Sequence, residues 1–256
     1  MQIHHIRNAT MILTFGEQHI LVDPMLAPRG SLPSYRWLVK HRRKNPLVNM
    51  PGGISKQLKT VTCALVTHCQ RGHVDHLDSF GINFLRERGL PVYCSMRDEA
   101  YLRKKGLHTI PLETGSEHPF LNVLTITPVP CRHGYGWITS LMENGVGYVI
   151  RYSVGPAVYI MGDTVLTPEA RHAIEHYRPD WLILPAGGAR LDVGRPLLMT
   201  LEEIAQTVEM APGWVMLNHL EALDHCPVTR DELRQYLTKK GLMDRVVIPA
   251  DGDILS

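Results

Sequence analysis

The sequence predicts one domain, residues 1–256, of mixed strands and helices whose functional side chains gather where strands end. Three observations predict it. Short apolar runs alternate with helical stretches from residue 61 onward. Helix starts carry hydroxyl caps, as at Thr167, Thr200 and Thr229. Four of the apolar runs finish in histidine or aspartate.

Taken in order, residues 2–6, 10–15 and 18–22 read as strands, the last two reversing at Gly16-Glu17, and Asp23-Pro24 stops the third. Residues 25–59 form a long irregular segment with Pro28, Pro33, Pro46 and Pro51. A loop of that length inside a compact domain is usually functional. Its basic run Lys40-His41-Arg42-Arg43-Lys44 follows Tyr35-Arg36-Trp37-Leu38, so the segment is expected to fold over the site and carry specificity. Strands are expected over 61–66, 91–94, 108–111, 121–128, 147–152, 157–161, 181–184, 214–217 and 246–248. Helices are expected over 79–89, 97–105, 200–210 and 229–240, with another beginning at Thr167. Pro168 and Glu169 behind Thr167, and Glu203 and Glu232 three residues after their threonines, are N-terminal signals.

Composition limits the function classes. Hydrophobic residues make up 44% and charged residues 20% of the chain, as in soluble globular proteins. A net charge of +2 gives no strong pull toward nucleic acid or membrane. Five cysteines, an odd number without CxxC spacing, argue for a reducing compartment rather than a disulfide framework. Residues 1–7 hold no signal-peptide core, and no apolar run approaches a membrane span. The expectation is a cytoplasmic protein without nucleic-acid or membrane partners; a homo-oligomer is compatible with the sequence.

The densest chemistry lies in Val66-Thr67-His68-Cys69-Gln70-Arg71-Gly72-His73-Val74-Asp75-His76-Leu77-Asp78, between a strand and a helix. Imidazole nitrogen and carboxylate oxygen are ligands that divalent transition metals prefer. Three later strands end in similar groups: His133 after 121–128, Asp163 within Gly162-Asp163-Thr164 after 157–161, and His219 after 214–217. Side chains at one set of strand ends commonly form one site. Cys69, Cys131 and Cys226 lie near these residues. Glu221, Asp224 and His225 are placed to support His219. Arg71, Arg132 and Tyr135 are candidates to contact an anionic substrate.

Thr67-His68, His73-Val74-Asp75-His76, His133, Gly162-Asp163-Thr164 and His219 together resemble the metallo-β-lactamase fold superfamily, in particular its ascorbate-6-phosphate lactonase-like branch of metal-dependent hydrolases. The resemblance covers nearly the whole chain. It implies an α/β sandwich of four layers (αββα), two central mixed β-sheets flanked by helices. It also implies that His68, His73 and His133 hold one metal, Asp75, His76 and His219 a second, and Asp163 bridges them. A metal-bound hydroxide would be the nucleophile, with Asp75 and Asp163 catalytic. The mixed nitrogen and oxygen set suits zinc, one or two ions, with manganese or iron as alternatives.

The sequence departs from the family motif at one place. Four residues, Cys69 to Gly72, separate His68 from His73 where the family has one. A looser loop is therefore expected there, with weaker binding near His68, His73 and His133 than near the other donors. The expected function is metal-dependent hydrolysis of an ester, lactone, amide or phosphoester bond in a small, anionic metabolite. Two alternatives stand beside it: a phosphodiesterase or nuclease of the same fold, and a non-catalytic metal-binding or sensor protein with an altered site. No Gly-x-Ser-x-Gly elbow points to a serine nucleophile.

Overall fold

The computed structural model describes residues 1–70, 72–136, 139, 142, 145–152 and 155–256. Three hairpin-linked strands, β1 (Gln2–Arg7), β2 (Thr10–Phe15) and β3 (Gln18–Val22), open the first sheet. Helix α1 (Ile54–Thr60) leads into β4 (Cys63–Leu65). Helix α2 (Ser79–Glu87), β5 (Pro91–Ser95), α3 (Met96–Lys104) and β6 (His108–Leu112) follow as parallel crossovers. The second sheet starts with three antiparallel strands, β7 (His118–Phe120), β8 (Leu124–Pro130) and β9 (Val146–Tyr152). It continues through β10 (Ala157–Ile160), α4 (Pro168–Tyr177), β11 (Trp181–Pro185), α5 (Leu201–Met210), β12 (Trp214–Asn218), α6 (Arg230–Lys239) and β13 (Val246–Val247). Finally β14 (Ile254–Leu255) returns to pair with β1.

Each sheet has seven strands, in the orders β14-β1-β2-β3-β4-β5-β6 and β13-β12-β11-β10-β9-β8-β7. Both are mixed, antiparallel at the hairpin end and parallel at the crossover end. Three apolar layers separate four structural layers. Met11, Leu13, Ile20 and Val22 meet Ile126, Tyr148, Ile150 and Val158 between the sheets. Ile12 and Leu21, one residue out of phase, face Leu85 and Leu102 of α2 and α3. Tyr159, Leu182 and Leu184 of the second sheet pack on Ile174, Ile204 and Leu233 from α4, α5 and α6. Because both faces are covered, these strands are apolar throughout rather than alternating.

The caps expected from sequence form. The Thr167, Thr200 and Thr229 side chains accept from the backbones of Ala170, Glu203 and Glu232, and Thr200 with Glu203 closes a full capping box. Three elements carry no readable signal. Helix α1 follows Gly53 at φ 79 with no side-chain cap. Strands β7 and β14 are three and two residues long and lie on sheet edges. The strand expected over 121–128 instead begins at Leu124, because Leu121 and Asn122 adopt left-handed conformations at φ 48 and 65. Of the expected turn between β9 and β10, residues 153 and 154 lie outside the described residues.

Topology brings the functional strand ends together. Strand β8 is antiparallel to β9 and β9 to β10, so β8 and β10 run the same way, and β12 joins them through two parallel pairings. Their C-terminal ends share one edge with that of β4, where the Val146 amide donates to Thr67 O at 3.0 Å across the sheets.

The segment 25–53 crosses this edge as a strap. Its main anchor is Arg7, fully buried, whose guanidinium donates to Met25 O at 2.9 Å, Ala27 O at 2.5 Å and Val48 O at 3.2 Å. Arg7→Met leaves these three carbonyls without their donor. It is expected to cost about 3 kcal/mol of unfolding free energy in urea, with new proteolytic cleavage inside 25–48 under native conditions.

Candidate metal centre

Seven buried side chains converge at the shared strand edge. Two groups of potential ligand atoms result, each within 4.8 Å of one another: His68, His73 and His133, and Asp75, His76, Asp163 and His219. The His68 and His73 rings lie 4.4 Å apart by centroids, and those of His73 and His133 5.1 Å apart. Asp163 joins the groups. Its Oδ2 lies 3.2 Å from His76 Nε2, 3.5 Å from His133 Nε2 and 3.5 Å from His219 Nε2. Asp75 Oδ2 lies 3.6 Å from His219 Nε2 and 3.8 Å from His76 Nε2.

Local backbone geometry makes the convergence possible. Asp163 follows Gly162 at φ 65, where a Cβ would stand 2.8 Å from Val146 O. His219 itself has φ 59 and Asp23 has φ 43. Such values are costly for residues other than glycine and gather at functional sites.

Each imidazole is held through Nδ1. His73 Nδ1 donates to Gln70 O at 2.6 Å and His133 Nδ1 to Leu197 O at 3.0 Å. A carbonyl can only accept, so Nδ1 carries a proton in both rings, which leaves Nε2 as the nitrogen that can offer a lone pair. His76 Nδ1 meets Asp23 Oδ2 at 2.9 Å, His68 Nδ1 meets Thr67 Oγ1 at 3.0 Å, and His219 Nδ1 meets Cys226 Sγ at 3.4 Å. Nε2 of His68, His76 and His219 is buried without a hydrogen bond. Buried imidazole nitrogens left unsatisfied beside two carboxylates, with the opposite nitrogens tethered, are what a divalent metal requires of its ligands. The residues fit one or two such ions.

Without metal the site balances its own charge. Burial alone would raise both carboxyls, but His219 and His76 hold Asp163, and His76 and His219 hold Asp75, well below the usual range. Burial opposes charge on His76 and His219, yet the carboxylate of Asp163, joined by Asp23 and Asp75 at His76 and by Asp75 at His219, raises both imidazoles well above their usual value. Burial lowers His68 well below its usual value and His133 to about 4.

Gln70, in the segment after His68, is tied down. Gln70 Nε2 donates to Asp98 Oδ1 at 2.8 Å and to Arg97 O at 3.2 Å, and Asp98 Oδ2 accepts from Ser95 Oγ at 2.7 Å. Gly72 takes the turn at φ 92. At Gln70 the looseness expected from sequence is offset by these contacts to α3.

A cavity of about 320 Å³ opens over the donors. Pro33, Ser34, Tyr35 and Trp37 of the strap roof it, with Leu191, Leu197 and His225 opposite and His73, Asp75 and His133 at its base. Tyr35 Oη reaches Gly72 O at 2.9 Å and Asp75 Oδ1 at 3.1 Å, and burial beside Asp75 pushes its phenol well above the usual value. The strap does cover the site as expected, but by its aromatic part. Residues 41–44 are exposed, and Arg42 folds back onto Trp37, donating to its carbonyl at 2.8 Å.

Other sequence expectations resolve differently. Tyr135 does not line the cavity, since its hydroxyl donates to Glu203. Arg132 stacks over the Tyr135 ring and is exposed. Arg71 lies outside the described residues. Glu221 pairs with Arg230 rather than supporting His219. Asp224 instead accepts from Ser34 Oγ, the Tyr35 and Arg36 amides, and Asn45 Nδ2 at 2.5–3.2 Å. Asp23, which sequence shows only as a strand stop, is the most important residue missed. Its carboxylate takes the Thr67 amide at 2.8 Å and hydroxyl at 2.7 Å as well as His76.

Residues 18–219 match the family model described as the beta-lactamase superfamily domain. The chain belongs to the beta-lactamase superfamily. A similar relative is UPF0173 protein YddR of Bacillus subtilis, 28% identical over 99% of this chain and 98% of that protein. Two solved structures are also similar. One is a possible metal-dependent hydrolase from Veillonella parvula, with a TM-score of 0.90 and 25% identity over 100% of this chain and 98% of that one. The other is an isothiocyanate hydrolase from Delia radicum gut bacteria, with a TM-score of 0.89 and 27% identity over 100% and 99%. Fold, family and donor set make the protein a metal-dependent hydrolase of the metallo-β-lactamase fold.

Two predictions follow from this geometry. Asp23→Asn keeps an acceptor for His76 but removes its charge, so metal affinity in a chelator competition is expected to fall 10- to 100-fold. The second concerns pH. The raised His76 and His219 stabilise the metal-free fold below about pH 6.5, and that contribution is lost as pH rises through their folded values. The lowered His68 and His133 contribute fully above about pH 6.5 and lose it as pH falls toward 4. Metal-free Tm is therefore expected to peak near pH 6.5 and decline by pH 9. Loading with zinc, which requires deprotonated Nε2, is expected to remove the alkaline decline.

Proposed function

We propose that the protein hydrolyses a small, uncharged substrate with an apolar body and an electrophilic carbon, using metal held by His68, His73, His133, Asp75, His76, Asp163 and His219. The observation that carries the reading is the cavity wall. Its described lining contains proline, tyrosine, tryptophan, methionine and leucine around the donors, and neither lysine nor arginine. A volume near 320 Å³ is at the small end of ligand sites. The sequence alone suggested an anionic metabolite through Arg71, Arg132 and Tyr135; Arg71 lies outside the described residues, Arg132 stacks on Tyr135, and the Tyr135 hydroxyl is turned to Glu203. The isothiocyanate hydrolase of similar fold acts, by its name, on a substrate class of this kind. Esters and lactones with apolar tails fit the same wall.

When bound, metal supplies Lewis acidity, which lowers the pKa of water and polarises the carbon to be attacked. The chain's own residues do the rest. Asp163 Oδ2 sits between the two donor groups, where its charge offsets both. Asp75 orients the attacking water: Tyr35 Oη fixes its Oδ1, and its Oδ2 faces the donor side. The Tyr35 phenol stays protonated and fixes that carboxylate's orientation. Trp37 and Pro33 line the cavity from the strap side. Zinc suits the set, and one or two ions can be held by it.

The test compares substrates on protein loaded with zinc, manganese or iron. Benzyl isothiocyanate and phenyl acetate are expected to be turned over with kcat/KM at least tenfold above a carboxylated analogue of equal size. Asp163→Asn is expected to lower kcat/KM by 100-fold or more, with Tm kept within a few degrees. Preference for the carboxylated analogue would reject the uncharged-substrate reading. Wild-type turnover by Asp163→Asn would remove that residue from the site.

A further inference from the structure

Among the described cavity residues, His225 carries an imidazole that the hydrolytic reading leaves unused. It is 6% exposed and lies against the Tyr35 ring, with centroids 4.4 Å apart. Its ring centre is 6.4 Å from that of His219, and it belongs to neither donor group. Its Nδ1 is buried with no hydrogen-bond partner. Buried polar atoms are nearly always satisfied, so an orphaned one lining a cavity points to a ligand that completes it.

The backbone presents this ring rigidly. On one side Asp224 is locked to the strap by Ser34, Tyr35, Arg36 and Asn45. On the other side Cys226 Sγ meets His219 Nδ1. The His225 carbonyl itself accepts from the Arg190 amide at 3.0 Å. The residues flanking His225 therefore reach the roof and the donor edge, and the imidazole projects between them beside Tyr35. These contacts fix the backbone that carries the ring, and the Tyr35 ring packs against the imidazole itself.

We propose that His225 is a substrate-binding residue, its imidazole forming a hydrogen-bonding subsite for an uncharged heteroatom next to the substrate's reacting carbon. The subsite deepens the hydrolase reading and rests on it for the substrate class alone. An imidazole nitrogen can donate or accept, so it matches a thiocarbonyl, carbonyl or ester oxygen, or an N–H. The apolar body then lies along Trp37, Leu191 and Leu197. A substrate with an apolar body and no such heteroatom would leave Nδ1 unpaired and be rejected, the way sites built around a buried polar group discriminate.

The test separates binding from turnover. Benzylthiourea, which carries the apolar body and the heteroatoms, is titrated calorimetrically into the zinc-loaded protein. His225→Ala is expected to weaken its binding about tenfold, and His225→Asn, which keeps a donor and an acceptor, less than threefold. Zinc content and Tm are expected to stay at wild-type levels in His225→Asn. With benzyl isothiocyanate as substrate, KM is expected to rise in His225→Ala more than kcat falls. Equal affinity of wild type and His225→Ala for benzylthiourea overturns the subsite. So does loss of zinc from both variants, which would place His225 in the metal shell. If wild type binds benzylthiourea through His225 yet hydrolyses neither isothiocyanate nor ester, the subsite stands and the hydrolase reading of the substrate fails.

Discussion

The structure turns on one buried oxygen, Asp163 Oδ2, with three imidazole nitrogens 3.2–3.5 Å away. Buried charges this close interact far more strongly than charges at a surface. Such a cluster stands only if its members balance. In the metal-free chain the balance is protonic, with His76 and His219 raised and the carboxyls lowered. A divalent ion does the same job with the protons expelled. The fold contributes position: three co-directional strand ends in one sheet, one strand end in the other, and a glycine at 162 where no side chain would fit.

Much of this was readable from the sequence because strand ends carry local signals. An apolar run followed by histidine or aspartate marks both the end of a strand and the side chain that leaves it, and β4, β8, β10 and β12 all show the pattern. The capped helices were equally plain, since Thr167, Thr200 and Thr229 act within three residues of themselves. What escaped depends on distant partners. Asp23 looks like a strand stop and becomes the carboxylate behind His76, 53 residues away. Tyr35 lies in an aperiodic segment and reaches Asp75, 40 residues on. Asp224, adjacent in sequence to plausible partners of His219, holds the strap across 190 residues. The partner of Tyr135 escaped in the same way, because nothing local announces Glu203.

The tethers also explain why five histidines can share so small a space. An untethered imidazole can rotate and present either nitrogen, losing freedom when a ligand binds. Here Nδ1 of each ring is occupied by a carbonyl, carboxylate, hydroxyl or thiol. Nε2 is therefore presented before any ligand arrives. The thiol at His219 is distinctive. Burial raises the Cys226 pKa, while His219 beside it pulls the other way.

The donor edge and the substrate wall are built by different means. Donors project from strand ends whose positions are fixed by two packed sheets. The wall comes from the strap and the loop around Asp192 and Asp224, which have no regular structure to hold them. Side-chain clips take that role. Arg7 holds the strap from below, Asp224 grips residues 34–36, and Asp192 accepts from Arg36 Nε at 2.5 Å and the Leu38 amide at 2.7 Å, with the Trp37 amide between them. Changes in the strap can therefore reshape the cavity while the sheets stay as they are, which is how one fold comes to serve many substrates. Tyr35 is where the two parts meet, because its ring belongs to the wall and its hydroxyl to Asp75. Displacement of the strap would thus also break the hydrogen bond to Asp75, so the wall and the donor edge are linked through a single phenol.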